Sequence, residues 1–108
     1  VSNTRQQPME RRLLGLLIWI DFNDRMAQFS ITLDVRGKRG EEVFVILDQY
    51  MNDALLLGSN EIKILHGKGD GILRNLIREQ LKRYSQIKSF VDEHADRGGA
   101  GVTIVTFK

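Results

Sequence analysis

Two short apolar runs, each closed by charged residues and glycine, flank one amphipathic stretch, and this pattern leaves few folds open. Ile31–Val35 (ITLDV) alternates, with Ile31, Leu33 and Val35 on one face and Thr32, Asp34 and Arg36 on the other. Ile62–His66 (IKILH) reads as a second strand. Between them, Glu41–Leu57 places Val43, Ile46, Leu47, Tyr50, Ala54 and Leu57 at helical spacing. Glu41 and Glu42 suit the first turn of that helix, where the macrodipole favours acids, and Gly58 suits its C′ position. Strands joined by a helix run parallel through a right-handed crossover.

The rest of the chain extends the pattern. Ile72–Tyr84 reads as a second helix with Asp70 as N-cap and with Ile72, Leu73, Leu76, Ile77, Leu81 and Tyr84 on its apolar side. Arg74, Arg78 and Lys82 stand four apart and form a basic stripe. Ile87–Val91 and Val102–Phe107 are two more strands, joined by the polar, glycine-rich stretch Asp92–Gly101. The order is β-α-β-α-β-β, with the first three strands parallel and the last antiparallel. The expected fold is an α/β two-layer sandwich: a mixed four-stranded sheet with both helices on one face. The other face is expected to be partly open, or covered by the N-terminal segment.

Residues 1–12 are polar, contain the single proline and read as a linker; Leu13–Ile20 (LLGLLIWI) reads as a strand or a docking segment. The division is therefore a connector over 1–30 and a folded domain over 31–108. A length of 108 residues with 42% hydrophobic content suits one domain with a real core. Cysteine is absent, which excludes disulfides, thiolate zinc sites and cysteine nucleophiles, and two histidines are too few for a histidine-rich metal site. The eight residues of Leu13–Ile20 fall short of the roughly 20 that a membrane span needs. With no signal peptide at its start, the chain is read as soluble and cytoplasmic. It begins at Val1 and is read as a domain excised from a longer protein.

Charge is distributed in blocks. Arg36, Lys38 and Arg39 are followed by five acids and no base over 40–61, then by seven bases against two acids over 62–90. If the basic blocks meet, they form an anion-binding face. The bland reading is that lysine and arginine only solvate helix faces.

Parallel neighbours end on the same edge of a sheet, where ligands of open α/β sheets bind. Asp34, Arg36, His66 and Lys68 are therefore expected in one cluster at the start of the second helix. That terminus offers backbone N–H groups and a positive dipole end to an anion. Arg36 can fork a phosphate and Lys68 adds a point charge. His66 can exchange protons near neutral pH, and Asp34 can orient it or activate a water. Each piece has a structural alternative: a satisfied strand-end histidine, a tight glycine turn, a plain Asp34–Arg36 salt bridge. The glycine run Gly67–Gly71 (GKGDG) is neither a Walker motif nor a well-spaced dinucleotide fingerprint.

Leu33–Gly37 (LDVRG) and His66–Gly69 (HGKG) resemble the two signature motifs of the Smr (small MutS-related) domain. The resemblance covers about residues 31–108, including the closing GGAGVTIV at Gly98–Val105. The arginine in LDVRG is typical of members at the C-terminus of a bacterial anti-recombination MutS paralogue; other branches carry histidine there. The resemblance implies a fold like the C-terminal domain of translation initiation factor three. It also implies nicking endonuclease activity on DNA, with RNA cleavage or ribosome association in some members. Carried over, Asp34, Arg36 and His66 are the expected catalytic residues. Gly37, Lys38, Gly67, Lys68, Gly69, Arg74 and Arg78 are expected to bind phosphate or nucleic acid, Lys68, Arg74 and Arg78 on charge alone. His94 is a weaker candidate near the same edge. No cofactor is expected to be required; with only Asp34 well placed and Asp70 and Asp92 as further carboxylates, a single loosely held magnesium or manganese stays open. Expected partners are DNA or RNA, the ribosome, and the remainder of a MutS-like parent chain, with no membrane. The alternative function is a non-catalytic nucleic-acid- or ribosome-binding module.

Overall fold

The computed structural model describes residues 23–24 and 26–108; Leu13–Ile20 and the polar lead before it lie outside the described residues. The elements are β1 (Thr32–Asp34), α1 (Gly40–Leu56), β2 (Glu61–Leu65), α2 (Ile72–Leu81), β3 (Ile87–Asp92) and β4 (Val102–Phe107). Two 3₁₀ turns, Ala95–Arg97 and Gly99–Gly101, join the last two strands. A short helical stretch through Asn23, Asp24 and Met26–Gln28 precedes β1.

The sheet order is β1-β2-β4-β3, with β1 parallel to β2 and β4 antiparallel to both of its neighbours. The strand directions match the sequence expectation. The last strand, however, is slotted between β2 and β3. It is the most apolar strand, with Val102, Thr103, Val105 and Phe107 all buried, so a central position suits it. The edges are protected: β1 has three residues, and β3 carries a register irregularity between Ile87 and Ser89.

Alternation sends one face of the sheet to the helices. Leu33 pairs with Ile64, and Ile64 with Thr103; Ile62 pairs with Val105, and Val105 with Phe90. Val43, Leu47, Met51 and Ala54 of α1 and Ile77 and Leu81 of α2 close over this face in one core. Both helices therefore lie on the same side. Helix α1 ends in a paired-hydrogen-bond cap: Gly58 N–H reaches Leu55 O at 3.2 Å and Ser59 N–H reaches Ala54 O at 3.0 Å, with Gly58 at φ +71°.

Two details of the helix faces differ from the periodicity. Met51 is fully buried in the core. Ile72 and Leu76, expected on the apolar side of α2, are 60% and 47% exposed. The buried stripe of α2 instead runs through Ile77, Gln80 and Leu81, and the Gln80 amide donates to Phe44 O at 2.8 Å. That hydrogen bond satisfies the amide of a polar residue in a core position.

On the opposite sheet face, Lys63 of β2 reaches across β4 to Glu93, with Nζ–Oε2 at 2.6 Å. Glu93 is 7% exposed, and its Oε1 also accepts the His94 N–H at 3.0 Å. The hydrogen bond from Lys63 is the largest cause holding this carboxyl below the usual range. A depressed folded pKa stabilises above the unfolded pKa, and the gain is lost as pH falls through the folded value. Glu93→Gln is therefore expected to melt below wild type at pH 7, with the gap closing in melts recorded at progressively lower pH.

Candidate functional site

The parallel ends of β1 and β2 bring the two glycine motifs to one edge. Asp34 and Arg36 share the outer side of β1 and form a fork: Arg36 Nε donates to Asp34 Oδ1 at 3.0 Å and Nη2 to Oδ2 at 2.8 Å. The Arg36 backbone N–H adds a third bond to Oδ1 at 3.0 Å. These bonds lower the Asp34 carboxyl to about 2 and raise the guanidinium. Asp34 is thus ionised throughout the neutral range. The fork leaves Arg36 Nη1 pointing to no partner among the described residues, and the Arg36 side chain is 59% exposed. The turn that follows is closed by Lys38 N–H to Val35 O at 3.2 Å, with Gly37 at φ +77°.

At the end of β2, the N–H groups of His66 and Gly67 both donate to Gly101 O, at 3.0 and 2.9 Å. Gly101 sits so close that a Cβ there would lie 3.3 Å from the Gly67 carbonyl carbon, Lys68 N and Lys68 Cγ. Gly67 has φ +83°, and a Cβ there would meet the Arg36 stem at 3.6–3.8 Å. Arg36 of the first motif therefore lies against Gly67 of the second, with Lys68 beside Gly101. Helix α2 starts next to this loop. Its geometric N-cap is Gly71, at φ +83°, but Asp70 Oδ1 still accepts the Ile72 N–H at 3.1 Å, the capping bond expected of Asp70.

His66 continues the inward alternation of Ile62 and Ile64, and only 5% of it is exposed. Its Nε2 lies 2.8 Å from Thr103 Oγ1, and its Nδ1 lies 2.9 Å from Gly67 O. Thr103 Oγ1 also takes a hydrogen bond from Arg78 Nη2 at 3.3 Å. Arg78 Nη2 and Arg74 Nη2 both close on Asp92 Oδ1, at 2.5 and 3.0 Å. Burial is the main cause lowering the His66 pKa; Arg78 and Arg74 push the same way, while the Gly67 carbonyl and Asp92 oppose them. Asp92 is held low chiefly by the hydrogen bond from Arg74.

Several expected placements change. Asp34 does not meet His66, because its carboxylate is spent on Arg36 and the imidazole faces the other side of the sheet. Neither imidazole nitrogen is left for a water. Arg74 and Arg78 are not an open stripe but are drawn onto Asp92, and Lys82 pairs with Glu79 at 2.9 Å. His94 caps the first 3₁₀ turn, its Nδ1 accepting the Asp96 N–H at 3.3 Å. Among the described residues, no three His, Asp or Glu side chains converge as metal ligands. The sequence reading missed Thr103 and the specific role of Gly101. A threonine at an inward position of the apolar run VTIVTF was the available signal.

Because Asp92 holds both arginines and offsets one of their two charges, a nucleic-acid ligand of this face should bind Asp92→Asn about threefold more tightly at low salt, measured by anisotropy of a labelled oligonucleotide. The gain should vanish at high salt.

A two-layer sandwich whose glycine loops meet at the parallel strand ends defines a class of small α/β domain. The Smr domain family model matches residues 33–108. The chain belongs to the Smr domain family. It is 49% identical over 76 residues to "Endonuclease MutS2" of Helicobacter pylori, covering 70% of this chain and 10% of that protein. It is 51% identical over 82 residues to the protein of the same name from Pediococcus pentosaceus, covering 76% of this chain and 10% of that one. Among solved structures, the Smr domain of Thermus thermophilus MutS2 superposes with a TM-score of 0.68 at 40% identity, covering 71% of this chain and 96% of that one. The chain thus spans about a tenth of the length of the curated relatives it matches. No helix among the described residues is long and apolar enough to cross a membrane.

Proposed function

We propose that this domain grips the phosphodiester backbone of nucleic acid at the edge formed by Arg36, Gly67 and Lys68, and nicks it. The observation that carries this reading is the seating of the Arg36 stem on Gly67, with Lys68 alongside and the N-terminus of α2 next to the loop. Two cations and a helix terminus there face a ligand that is anionic and must come close to the backbone. Arg36 keeps its Nη1 N–H groups for a phosphate oxygen while Asp34 fixes the rest of the fork. Charge building up on the phosphate in the transition state would be met by Arg36, Lys68 and the loop amides, which are already in place. On DNA a water would attack phosphorus as the bond to one sugar oxygen breaks, the water's proton passing to solvent and the departing oxygen taking one from it; on RNA the 2′-hydroxyl would attack in the same way, expelling the 5′-oxygen and leaving a cyclic phosphate. This reading needs no obligatory metal cluster, and a chelator arm in the assay tests that. The relatives' printed name, "Endonuclease MutS2", supports the reaction class.

A second reading has its own observation. With both His66 ring nitrogens engaged and the Asp34 carboxylate held by Arg36, neither of these two side chains offers a free base to solvent, which suits a module that binds DNA, RNA or the ribosome without cutting. The two separate in one experiment. The chain is incubated with supercoiled plasmid and with RNA, with and without chelator, beside His66→Ala and Asp34→Ala, and oligonucleotide binding is followed across salt. Nicking by wild type, weakened in both variants and indifferent to chelator, supports the enzyme. Binding that falls steeply with salt, without cleavage of either substrate, leaves the module.

A further inference from the structure

We propose that His66 acts from inside the fold as a positioning residue, a neutral imidazole protonated at Nδ1 that holds the Gly67 carbonyl, and that Thr103 selects this tautomer. The inference rests on the proposed phosphate grip, since it states what keeps that loop in shape. Hydrogen-bond bookkeeping carries it. A carbonyl oxygen only accepts, so the nitrogen 2.9 Å from Gly67 O must bear the proton. In a neutral imidazole the other nitrogen is then a lone pair, and the group 2.8 Å from it donates; that group is the Thr103 hydroxyl. The hydroxyl has one proton and two lone pairs, and Arg78 Nη2 at 3.3 Å can only donate to it. The direction of the chain follows without choice: Arg78 to Thr103, Thr103 to His66, His66 to Gly67.

Protonating His66 would turn Nε2 into a second donor beside Arg78 and take away the lone pair to which the buried Thr103 hydroxyl gives its proton. The groups facing the ring agree with a neutral imidazole: Thr103 from β4, Arg74 and Arg78 from α2, and Asp92 from β3, whose charge is shared by the two arginines. Thr103 is fully buried, so no water replaces its hydroxyl without a rearrangement. The functional consequence lies one residue away. The Gly67 carbonyl, held by the imidazole, fixes the residue against which the Arg36 stem lies. The histidine thereby keeps the loop amides and Arg36 in register for a phosphate.

Side-chain geometry makes the test sharp. The amide nitrogen of asparagine can stand where imidazole Nδ1 stands, whereas that of glutamine reaches the place of Nε2. His66→Asn is therefore expected to hold oligonucleotide affinity within about threefold of wild type, and His66→Gln to lose about tenfold or more. Thr103→Val should weaken binding by about tenfold, with Thr103→Ser restoring it. Nitrogen-15 NMR of the wild-type chain, run from about pH 5 to 8, should show a protonated Nδ1 and an unprotonated Nε2 throughout. It should switch or broaden in Thr103→Val, a signature that mere loss of stability does not produce. An Nε2–H tautomer, a ring that titrates as a free imidazole does, or equal losses in His66→Asn and His66→Gln would each overturn the proposal. If wild type binds and shows the expected tautomer but never nicks, the cleavage reading fails while this one stands.

Discussion

Arg36→Ala is expected to reduce plasmid nicking by about 100-fold, within the range seen when one preorganised donor is removed from a transition state. Three losses act together. The Nη1 donors disappear from the edge where the phosphate is proposed to sit. The stem that lies over Gly67 disappears too, uncovering the loop. Asp34, which the fork lowers to about 2, is left as an unopposed carboxylate beside an incoming anion. Arg36→Lys should recover little, because an ammonium cannot both hold Asp34 bidentately and offer further N–H groups to a phosphate. Adding Asp34→Asn to Arg36→Ala should recover part of the binding but not the nicking, since it removes the repulsion and restores no donor. The measurements are initial nicking rates on supercoiled plasmid and oligonucleotide anisotropy. An Arg36→Ala chain that nicks at the wild-type rate would remove this edge from the reaction.

Local punctuation is what made parts of the fold legible. Glu41 and Glu42 at one end and Gly58 at the other place α1 within one residue of the observed Gly40–Leu56. The unbroken β-branched run Val102–Thr106, closed by Phe107, marks β4 along its whole length. Sheet order was out of reach for a physical reason. Alternation tells which face a residue takes, but not which strand lies beside it, so nothing in the strand pattern alone places β4 between β2 and β3. The meeting of Arg36 with Gly67 was legible because parallel neighbours must share an edge. The orientation of His66 was also present in the pattern: the period that buries Ile62 and Ile64 carries His66 inward with them. Its chemistry suggested a solvent-facing base, while its parity required a buried one. The Asp92 clamp on Arg74 and Arg78 depended on which strand packs beside α2, and no local signal reports that.

The largest structural effect is expected at Gly101. This residue has no side chain, yet it joins the closing turn to the second motif. Its carbonyl takes two hydrogen bonds from the end of β2, and its Cα lies where any Cβ would meet Gly67 and Lys68 at 3.3 Å. Its backbone is not in the left-handed region, so space alone decides the outcome. Gly101→Ala asks its neighbours to yield by a few tenths of an ångström, and because two of the three atoms belong to the backbone it should already destabilise the fold, though less than a larger side chain. Gly101→Val adds two further carbons against a peptide already anchored by Gly101 O and by His66, and it should destabilise the fold by about 1–3 kcal/mol. That is a substantial share of the roughly 5–15 kcal/mol that holds a typical domain together. The displaced loop carries Lys68 and the seat of Arg36, so oligonucleotide affinity should fall with it, by about tenfold, at temperatures where the variant is still folded. Thermal unfolding followed by circular dichroism and anisotropy at about 15 °C, near the temperature of maximum stability, separate the two effects. A valine variant that melts and binds as wild type does would mean that the closing turn does not hold the loop, and the proposed grip would then need another support.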